Sequence, residues 1–411
     1  MLTVLHFADA HIDIAGHGRH DPLTGLPLRV LDFLNALDRI VDTAIDERVD
    51  LVLFAGDAYK DRTPSPTYQR EWGRRIMRLA QAGIPTLLLI GNHDLSPAAG
   101  RANALQEFDT LQVPHIQVLS KPAFLGPTEL ENLPLQVLAI PWISRSGLMA
   151  ALEMSASQPE KVLAEIEERL SQLIQGWLES ADPQLPTILT AHASVEGAQY
   201  GSERSVMLGS DMLLPGSLVR DARLDYVALG HIHKAQNLNE NGYPPVVYPG
   251  SIERVDFGEA QDEKSFVIAR IERGRTVFER RLLPGRRFID RKVSLTSPEN
   301  VLEQMQQALP PLADLAEAVV RLVVDYPREY DPYLDEPALR KYTEAAFEFH
   351  LVRRPQMQTR FRLPDDVHIE QLSASELLDK YWEVIKTSEQ DRAPLQKLAE
   401  EIISTSASTQ S

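Results

Sequence analysis

Several short motifs place acidic, amide and imidazole side chains directly after apolar segments of the chain. In chain order these motifs are 9-DAH-11, 56-GD-57, 91-GNHD-94, 190-TAH-192 and 230-GHIH-233. Imidazole nitrogen, carboxylate oxygen and amide oxygen together suit Mn²⁺, Fe²⁺ or Zn²⁺ better than Ca²⁺ or copper. Any single motif is explained equally well by a solvated turn, but their recurrence indicates a divalent metal site.

The residue types suit a pair of ions. Two metal ions about 3.5–4 Å apart can stabilise both the attacking and the leaving oxygen of a phosphoryl displacement. Ions this close repel each other, so a carboxylate has to bridge them, and Asp57 is the candidate. Asn92 would then be a ligand, His93 would face the leaving oxygen, and Asp94 would orient His93. We expect the glycines before Asp57, Asn92 and His231 to allow tight turns and close backbone approach.

The motifs need a sheet that brings several strand ends to one edge. Short apolar runs predict strands at 3–8, 50–55, 84–90, 136–140, 187–191, 226–230 and 265–271. Apolar periodicity predicts helices at 30–45, 66–81 and near 151–180. This alternation indicates an α/β fold with crossover connections and a buried sheet, whose ligand sites lie outside the carboxyl ends of the strands. An extended backbone at 231-HIH-233 and 9-DAH-11 would direct the two outer side chains of each motif to one face.

The C-terminal third has a different character. A small α+β unit is predicted, with a helix at 299–308, a strand at 318–326, a helix at 335–350 and a strand at 357–363. Ser373 and Glu376 match a capping box. Two apolar stripes follow, one through Leu377, Leu378, Tyr381 and Ile385, the other through Leu395, Leu398 and Ile402. We expect two short amphipathic helices there and a disordered tail at 405–411.

Bulk composition restricts the class of protein. The 411 residues suggest two or three domains, and 43% hydrophobic with 25% charged residues is typical of a globular protein. No apolar run is long enough to cross a bilayer, and the start of the chain does not read as a secretion signal. The absence of cysteine excludes disulfides and thiolate metal sites and fits a cytoplasmic location. The net charge of −17 is weak evidence against a nucleic-acid substrate.

The ordered motifs resemble those of the calcineurin-like metallophosphoesterase superfamily. The resemblance is closer to the nuclease subunits, SbcD in type, of bacterial SbcCD DNA repair complexes. It is carried by 7-FADAHID-13, 55-AGDAYKDRTPS-65, 90-IGNHD-94, 228-ALGHIHK-234 and 248-YPGSIER-254. The motifs span residues 9–233, and the domain layout covers nearly the whole chain.

The resemblance implies a domain organisation. Residues 1–280 would form a four-layer α/β/β/α metallophosphoesterase sandwich. Residues 284–364 would form a small α+β capping domain that helps to hold DNA, and the helices within 370–404 would bind a partner. The helices at 30–45 and 66–81 would contribute to a homodimer interface.

The resemblance also implies a residue assignment. One metal would be held by Asp9, His11, Asp57 and His233, and the other by Asp57, Asn92, His192 and His231. His93 would be the catalytic imidazole, outside the ligand set, with Asp94 in the shell behind it. The metals would be two Mn²⁺, with Fe²⁺ or Mg²⁺ as alternatives. The substrates would be duplex DNA ends and hairpins, cleaved by exonuclease and endonuclease activity with a long coiled-coil ATPase of the SbcC type, in DNA repair, recombination or replication.

Two positions depart from this pattern, Lys60 and Ala191, the second of which stands where many relatives have Gly and still permits an extended strand end. Many relatives carry His or Asp where this chain has Lys60. A charged lysine cannot bind a metal but can contact phosphate, so Lys60 and Arg62 are candidate DNA contacts, against the simpler interpretation as solvated loop charges.

Three other functions remain open on the sequence. A stand-alone metallophosphoesterase acting on a small phosphodiester or phosphomonoester would use the same metal core. A protein phosphatase is disfavoured, because Asp61 and Arg62 fall one residue late for its motif and Asp94 stands in place of Glu. A non-catalytic scaffold is disfavoured by the intact set of ligand residues.

Overall fold

The chain is described by a computed structural model. It describes residues 1–12, 19–96, 101–143, 159–201, 213–356, 373–384, 387–388, 392 and 394–399. The described residues form two compact units, the first comprising Met1–Asp290 with Asp314–Val320 and Ala346–Glu348, and the second the rest. The sequence suggested a boundary between residues 280 and 284.

The first unit contains two six-stranded sheets and one small two-stranded sheet. Its strands are β1 (Leu2–Phe7), β2 (Leu51–Phe54), β3 (Thr86–Leu89), β4 (Ile116–Leu119), β5 (Ala123–Leu125), β6 (Gln136–Ile140), β7 (Thr187–His192), β8 (Ser194–Val195), β9 (Leu213–Leu214), β10 (Tyr226–Gly230), β11 (Gln236–Asn237), β12 (Val246–Tyr248), β13 (Lys264–Glu272) and β14 (Arg275–Leu283). Its helices are α1 (Leu28–Asp46), α2 (Pro66–Gln81), α3 (Gln106–Thr110), α4 (Pro159–Ser180) and α5 (Gly216–Val219), with a 3₁₀ turn at Phe257–Glu259.

The two large sheets are mostly parallel at their centres. The first has the order β14-β13-β1-β2-β3-β4, and the second has the order β11-β12-β10-β7-β6-β5. Strands β1 to β4 pair in parallel, as do β12, β10, β7 and β6. Every residue of β2, β3, β7 and β10 is buried, which is typical of parallel strands covered on both faces. The seven strands predicted from apolar runs between residues 3 and 271 are confirmed.

Three buried layers show the sandwich. Between the two sheets lies a cluster that includes Val4, Leu53, Ile188 and Tyr226. Helices α1 and α2 cover the outer face of the first sheet, where Trp72 packs near Phe54. Helix α4 covers the outer face of the second sheet through residues such as Ile174 and Leu178. The four-layer α/β/β/α arrangement is therefore confirmed.

The second part of the chain adds a three-stranded sheet in the order β15-β16-β17. Its elements are β15 (Phe288–Ser294), α6 (Val301–Gln307), α7 (Leu312–Leu315), β16 (Val319–Pro327), a 3₁₀ segment at Arg328–Tyr333, α8 (Glu336–Tyr342) and β17 (Glu348–Gln356). The helix predicted at 335–350 is wrong in its second half, because α8 ends at Tyr342 and β17 begins at Glu348. The strand predicted at 357–363 lies outside the described residues.

The chain continues with α9 (Ala374–Val384), which begins as the capping box predicted. The Ser373 backbone N–H and hydroxyl donate to Glu376, and the Glu376 N–H donates to the Ser373 hydroxyl at 3.3 Å. Residues 394–399 are also helical. The predicted tail at 405–411 and Ile402 lie outside the described residues. None of the described helices combines the length and apolar composition that a membrane span requires.

Candidate metal centre

The carboxyl ends of parallel strands from both large sheets deliver the site residues. Strands β1, β2 and β3 of the first sheet lead into Asp9 with His11, into Asp57, and into 91-GNHD-94. Strands β7 and β10 of the second sheet lead into His192 and into His231 with His233. The sheets pack face to face, so these strand ends meet at one edge of the sandwich, as expected for ligand sites of parallel sheets.

The backbone at these strand ends is left-handed at four residues that carry the functional side chains. The φ angles are 52° at Asp9, 41° at His11, 65° at Asp57 and 98° at His231. Side chains other than glycine rarely adopt such angles, and they cluster at functional sites when the surroundings enforce them. The expected extended backbone at 231-HIH-233 and 9-DAH-11 is therefore wrong, although Asp9, His11 and His233 still come together.

Glycines allow the strand ends to approach each other, as predicted. A Cβ at Gly56 would lie 2.2 Å from the His192 ring, and one at Gly91 would lie 2.1 Å from the Asp57 carboxylate. A Cβ at Gly230 would lie 2.0 Å from the Ala55 carbonyl oxygen. Any larger residue at these positions would push the two sheets or their side chains apart.

Asp57 lies at the centre of the cluster. Its Oδ1 accepts the backbone N–H of His93 at 2.8 Å. Its Oδ2 lies 3.7 Å from His11 Nε2 and 3.4 Å from His192 Nε2. One oxygen is thus fixed by the backbone, and the other faces one histidine on each side, which is the geometry that a bridging ligand needs.

The remaining ligand candidates gather on either side of Asp57. His11 Nε2 and His233 Nε2 lie 2.9 Å apart, and Asp9 belongs to the same potential metal-binding group. On the other side, Asn92 Oδ1 lies 3.0 Å from His192 Nε2 and 3.1 Å from His231 Nδ1. Two further potential groups contain Asp57, one with Asp9 and His192 and one with His11 and His93.

The proposed catalytic imidazole has a different orienting partner from the one expected. His93 Nδ1 lies 2.6 Å from the Lys60 carbonyl oxygen and must donate to it, since a carbonyl only accepts. Asp94 instead accepts three backbone N–H groups, from Asp57, Ala58 and Gly91, each at 2.9 Å. The expectation that Asp94 orients the His93 ring is corrected: Lys60 orients the ring, and Asp94 holds the two metal-site turns together.

Burial and neighbouring charges shift the pKa values of the site residues in opposite directions. Burial raises the pKa of Asp9 to about 7. Burial opposes a charge on Asp57, but the nearby His192 outweighs it, and the pKa of Asp57 falls below its ordinary value. Burial also opposes a charge on His192, but Asp57 raises its pKa to about 9. Burial lowers the pKa of His11 well below its ordinary value, with His233 adding to the effect.

These residues fit divalent metal ions. Asp9 and Asp57 are almost fully buried, and within the described part of the chain the ion pairs of Asp57 are with histidines alone. His11 Nδ1 is buried without a hydrogen-bond partner. Carboxylate, imidazole and amide donors that converge without a lysine or arginine counter-ion match the chemistry of a divalent cation site.

Three contributors to the site were missed by the sequence analysis. The Trp142 ring packs against His231 with ring centroids 5.0 Å apart and lies 6.1 Å from the His192 ring. Glu259 accepts from His233, and Lys264 pairs with Glu259. Their positions relative to the motifs depend on tertiary contacts, and only 248-YPGSIER-254 hinted that this later segment belongs with the site.

The candidate DNA contacts Lys60 and Arg62 are both exposed, and Lys60 lies next to His93 through its carbonyl. Arginines farther along the chain are less available for contact with DNA phosphates, because acidic side chains already pair with them. Arg286 is paired with Asp32 and Glu317, and Arg353 is paired with Glu336.

Residues 2–235 match the sequence model of the Calcineurin-like phosphoesterase family, Metallophos. The chain belongs to the calcineurin-like phosphoesterases. The match covers all five motifs, so this calcineurin-like phosphoesterase is an enzyme of the metal-dependent phosphoester-hydrolysing class, and its ligand candidates fit a dinuclear site.

The calcineurin-like phosphoesterase is also similar to individual curated proteins. It is 26% identical over 279 residues to the SbcD subunit of nuclease SbcCD from Bacillus subtilis, covering 65% of this chain and 66% of that one. It is 26% identical over 353 residues to the SbcD subunit of nuclease SbcCD from Rhodobacter capsulatus, covering 81% and 79%. DNA double-strand break repair protein Mre11 of Saccharolobus solfataricus is 26% identical over 255 residues, covering 61% and 54%. The chain thus spans less than two thirds of the Bacillus and Saccharolobus proteins.

Among solved structures, a dimetal phosphatase from Danio rerio covers 68% of this chain and 96% of its own at a TM-score of 0.41 and 13% identity. The fold assignment rests on the family match and on the layer order described above.

Proposed function

We propose that this phosphoesterase is the nuclease subunit of a DNA-processing complex. It hydrolyses phosphodiester bonds at duplex ends and in hairpins, as an exonuclease and an endonuclease, in DNA repair, recombination or replication. The observation that carries the proposal is the convergence of ligand residues on Asp57 beside His93. The choice of DNA is supported by the relatives named as SbcD subunits of nuclease SbcCD, one of which aligns with 81% of the chain.

The metal-binding roles follow from the two sides of Asp57. Asp9, His11, Asp57 and His233 would hold one ion, and Asp57, Asn92, His192 and His231 would hold the other. Mn²⁺ is the proposed metal, with Fe²⁺ or Mg²⁺ as alternatives, since imidazole and carboxylate together suit borderline divalent ions. When bound, the pair supplies Lewis-acid stabilisation of the phosphoryl oxygens and lowers the pKa of water.

His93 acts on the leaving oxygen. Because Nδ1 donates to the Lys60 carbonyl, Nε2 is the nitrogen left to hold or release a proton towards a departing alkoxide. The His93 backbone N–H also fixes Oδ1 of Asp57, so the same residue sets both the proton donor and the bridging carboxylate. Lys60 and Arg62, both exposed, are proposed to contact DNA phosphates next to the scissile bond.

The C-terminal helices are proposed to bind a coiled-coil ATPase partner. Exposed apolar side chains support this role: Tyr381 on α9 is 42% exposed, and Leu395 and Leu398 in the helical segment 394–399 are 39% and 53% exposed. Exposed apolar side chains that form a contiguous patch are a common feature of protein interaction sites. The unit built around β15, β16 and β17 is proposed to cap the site and help hold DNA.

We further propose a homodimer that involves α1 and α2, and a cytoplasmic location. A monomeric mass in light scattering at micromolar protein concentration would contradict the dimer. The absence of cysteine from the chain suits a reducing compartment.

The proposal is tested with metal-stripped full-length protein resupplied with Mn²⁺. End-labelled duplex DNA, a DNA hairpin and a small phosphodiester are offered separately, to wild type, to His93→Leu and to His115→Leu. His115 is a matched control, because it is a histidine at the opposite edge of the sheet that pairs with Glu131. We expect DNA cleavage by wild type and His115→Leu, loss of cleavage in His93→Leu, and unchanged metal content in all three.

Two results would contradict parts of the proposal. Hydrolysis of the small ester with intact DNA, with or without the ATPase partner, would favour the stand-alone phosphoesterase. Loss of metal from His93→Leu would make His93 a ligand, a role that its distance from His11 and Asp57 allows.

A further inference from the structure

Behind His233 lies a buried polar network that the catalytic roles above do not use. Glu259 Oε1 accepts His233 Nδ1–H at 2.6 Å. Glu259 Oε2 accepts from Lys264 Nζ at 2.7 Å and from the Val255 backbone N–H at 2.9 Å. Lys264 Nζ also donates to the Ser251 hydroxyl at 2.8 Å. Glu259 is 0% and Lys264 1% exposed, so the whole ion pair is removed from water.

Such a pair is a poor way to stabilise a fold. Removing a lysine and a carboxylate from water opposes folding, and hydrophobic residues of similar size often serve stability as well or better. The position of the pair gives it a different use. One end of the network meets the ring of a proposed ligand, and the other is anchored at the start of β13 in the first sheet.

The contact fixes both the tautomer and the direction of His233. With its Nδ1–H donated to Glu259, the ring presents Nε2 to the ligand cluster, 2.9 Å from His11 Nε2. A carboxylate that accepts from the far nitrogen of a metal-binding imidazole orients the ring and strengthens it as a ligand. Lys264 balances the charge of the carboxylate and holds it in place by donating to Glu259 Oε2 at 2.7 Å.

His192, on the other side of Asp57, has a different kind of partner. His192 Nδ1 donates to the Ala55 carbonyl at 2.7 Å, and a carbonyl is a neutral acceptor. His192 is therefore oriented but not backed by a charge. The two sides of the site differ in the group behind the imidazole, a carboxylate for His233 and a peptide oxygen for His192.

We propose that Glu259, anchored by Lys264, is a positioning residue for His233, and that it makes the two metal positions unequal. The ion held with His233 depends on Glu259, whereas the ion held with His192 does not. The inference rests on the metal-binding part of the proposed function and requires nothing of the DNA substrate.

The test counts bound ions and does not depend on activity. Full-length metal-free protein is dialysed against graded Mn²⁺ concentrations, and bound metal is measured for wild type, Glu259→Gln and Glu259→Asp. We expect wild type to take up two ions. Glu259→Gln should bind one ion as wild type does and the other only at about 10–100-fold higher Mn²⁺, the usual effect of removing such a partner. Glu259→Asp keeps the charge and should lose less affinity.

A second buried carboxylate serves as the matched control. Asp225 is 0% exposed and paired with Arg273, but it precedes β10 and lies at the opposite edge of the sheet. Asp225→Asn should bind both ions like wild type. Circular dichroism checks that each variant is folded, and Glu259→Asp keeps the test decisive if Glu259→Gln does not fold.

The inference is overturned if a folded Glu259 variant binds both ions with wild-type affinity, because Glu259 would then be structural like Asp225. It is also overturned if Glu259→Gln lowers the Mn²⁺ affinity of both positions equally, because the two positions would then depend on Glu259 to the same extent. Failure to cleave DNA would leave the ion count unaffected and would bear on the proposed substrate alone.

Discussion

Asp225 and Asp57 are buried carboxylates at opposite ends of the same sandwich, and their surroundings differ in kind. Asp225 accepts from Arg273 Nη1 at 2.9 Å, from the Tyr243 hydroxyl at 2.6 Å, and from the backbone N–H groups of Thr187 and Gly274 at 2.8 and 2.7 Å. Every lone pair finds a donor, as buried polar groups require.

Asp57 is similarly buried but has less internal compensation. Its backbone is left-handed, one oxygen accepts a single backbone N–H, and the other faces two histidine rings. The buried carboxylate Asp225 stabilises the fold through protein donors. The carboxylates at the other end of the sandwich have fewer protein donors and need divalent metal ions to balance their charge. Variants at the two ends should therefore separate activity from stability.

The largest expected effect is on catalysis at Asp57. Asp57→Asn keeps the shape and tolerates the left-handed backbone, but it removes the charge of the proposed bridging ligand. We expect hydrolysis to fall by a factor on the order of 10³ or more, since metal ions supply several kcal/mol of transition-state stabilisation. A variant that is active but less stable would reverse the roles assigned to the two ends.

The next effect is on stability at Asp225. Asp225→Asn should lower the free energy of unfolding by about 3 kcal/mol, because it removes the charge partner of Arg273 and turns an amide N–H₂ towards existing donors. Urea denaturation with EDTA present measures this loss. Hydrolysis per folded molecule should stay at the wild-type level, and a parallel loss of turnover would mean that the two ends are coupled.

Metal addition should stabilise the protein only through the end of the sandwich that carries Asp57. Mn²⁺ at about 100 times its dissociation constant should raise the free energy of unfolding by about 2.7 kcal/mol for each site, since the unfolded chain has no such site. Thermal unfolding with Mn²⁺ and with EDTA gives the difference. Asp225→Asn should keep this increment and Asp57→Asn should lose most of it, and equal increments in the two would contradict the comparison.

The smallest effect concerns His6, which belongs to neither end. It lies in the layer between the sheets, 3.0 Å from the Tyr226 hydroxyl and 3.2 Å from the Leu229 carbonyl, and burial lowers its pKa from 6.5 to about 3. The His6 ring therefore stays neutral below pH 6.5 in the folded protein, whereas in the unfolded chain it takes up a proton. Full stability is present above pH 6.5 and is lost progressively as the pH falls towards 3.

Because of His6, the free energy of unfolding should be lower at pH 5.5 than at pH 7.5 by about 1.4 kcal/mol. Urea denaturation of wild type and His6→Gln with EDTA present should show a pH dependence that is smaller by this amount in the variant. Identical slopes for the two proteins would assign the acid sensitivity to the metal-site end instead.

Much of the architecture could be predicted because it is local in the sequence. Fully apolar runs such as 51-LVLF-54 form buried parallel strands, and the periodicity around Trp72 and Ile76 gives a helix packed on the sheet. The polar residues after these strands meet because parallel strands share a carboxyl edge. The extended backbone predicted at 231-HIH-233 was wrong, because amino-acid composition does not distinguish a left-handed turn at His231 from an extended strand end.

The supporting contacts could not be predicted, because they join segments that are distant along the chain. Glu259 lies in a polar turn that resembles many solvated turns, and only the fold brings it against His233. The Lys60 carbonyl that orients His93 belongs to the backbone, so residue identity gives no signal for it. The helix predicted at 335–350 failed because residues 348–356 pair with β16 as a strand, a tertiary effect that overrides local propensity.

The two sheets each contribute only part of the site, and this has a consequence for biosynthesis. His11 and His233 face each other across 222 residues of chain. The first cannot meet the second until the ribosome has released β10 and the two halves of the sandwich have docked. A chain that ends before β10 would therefore lack both His231 and His233, and it could not complete the cluster around Asp57.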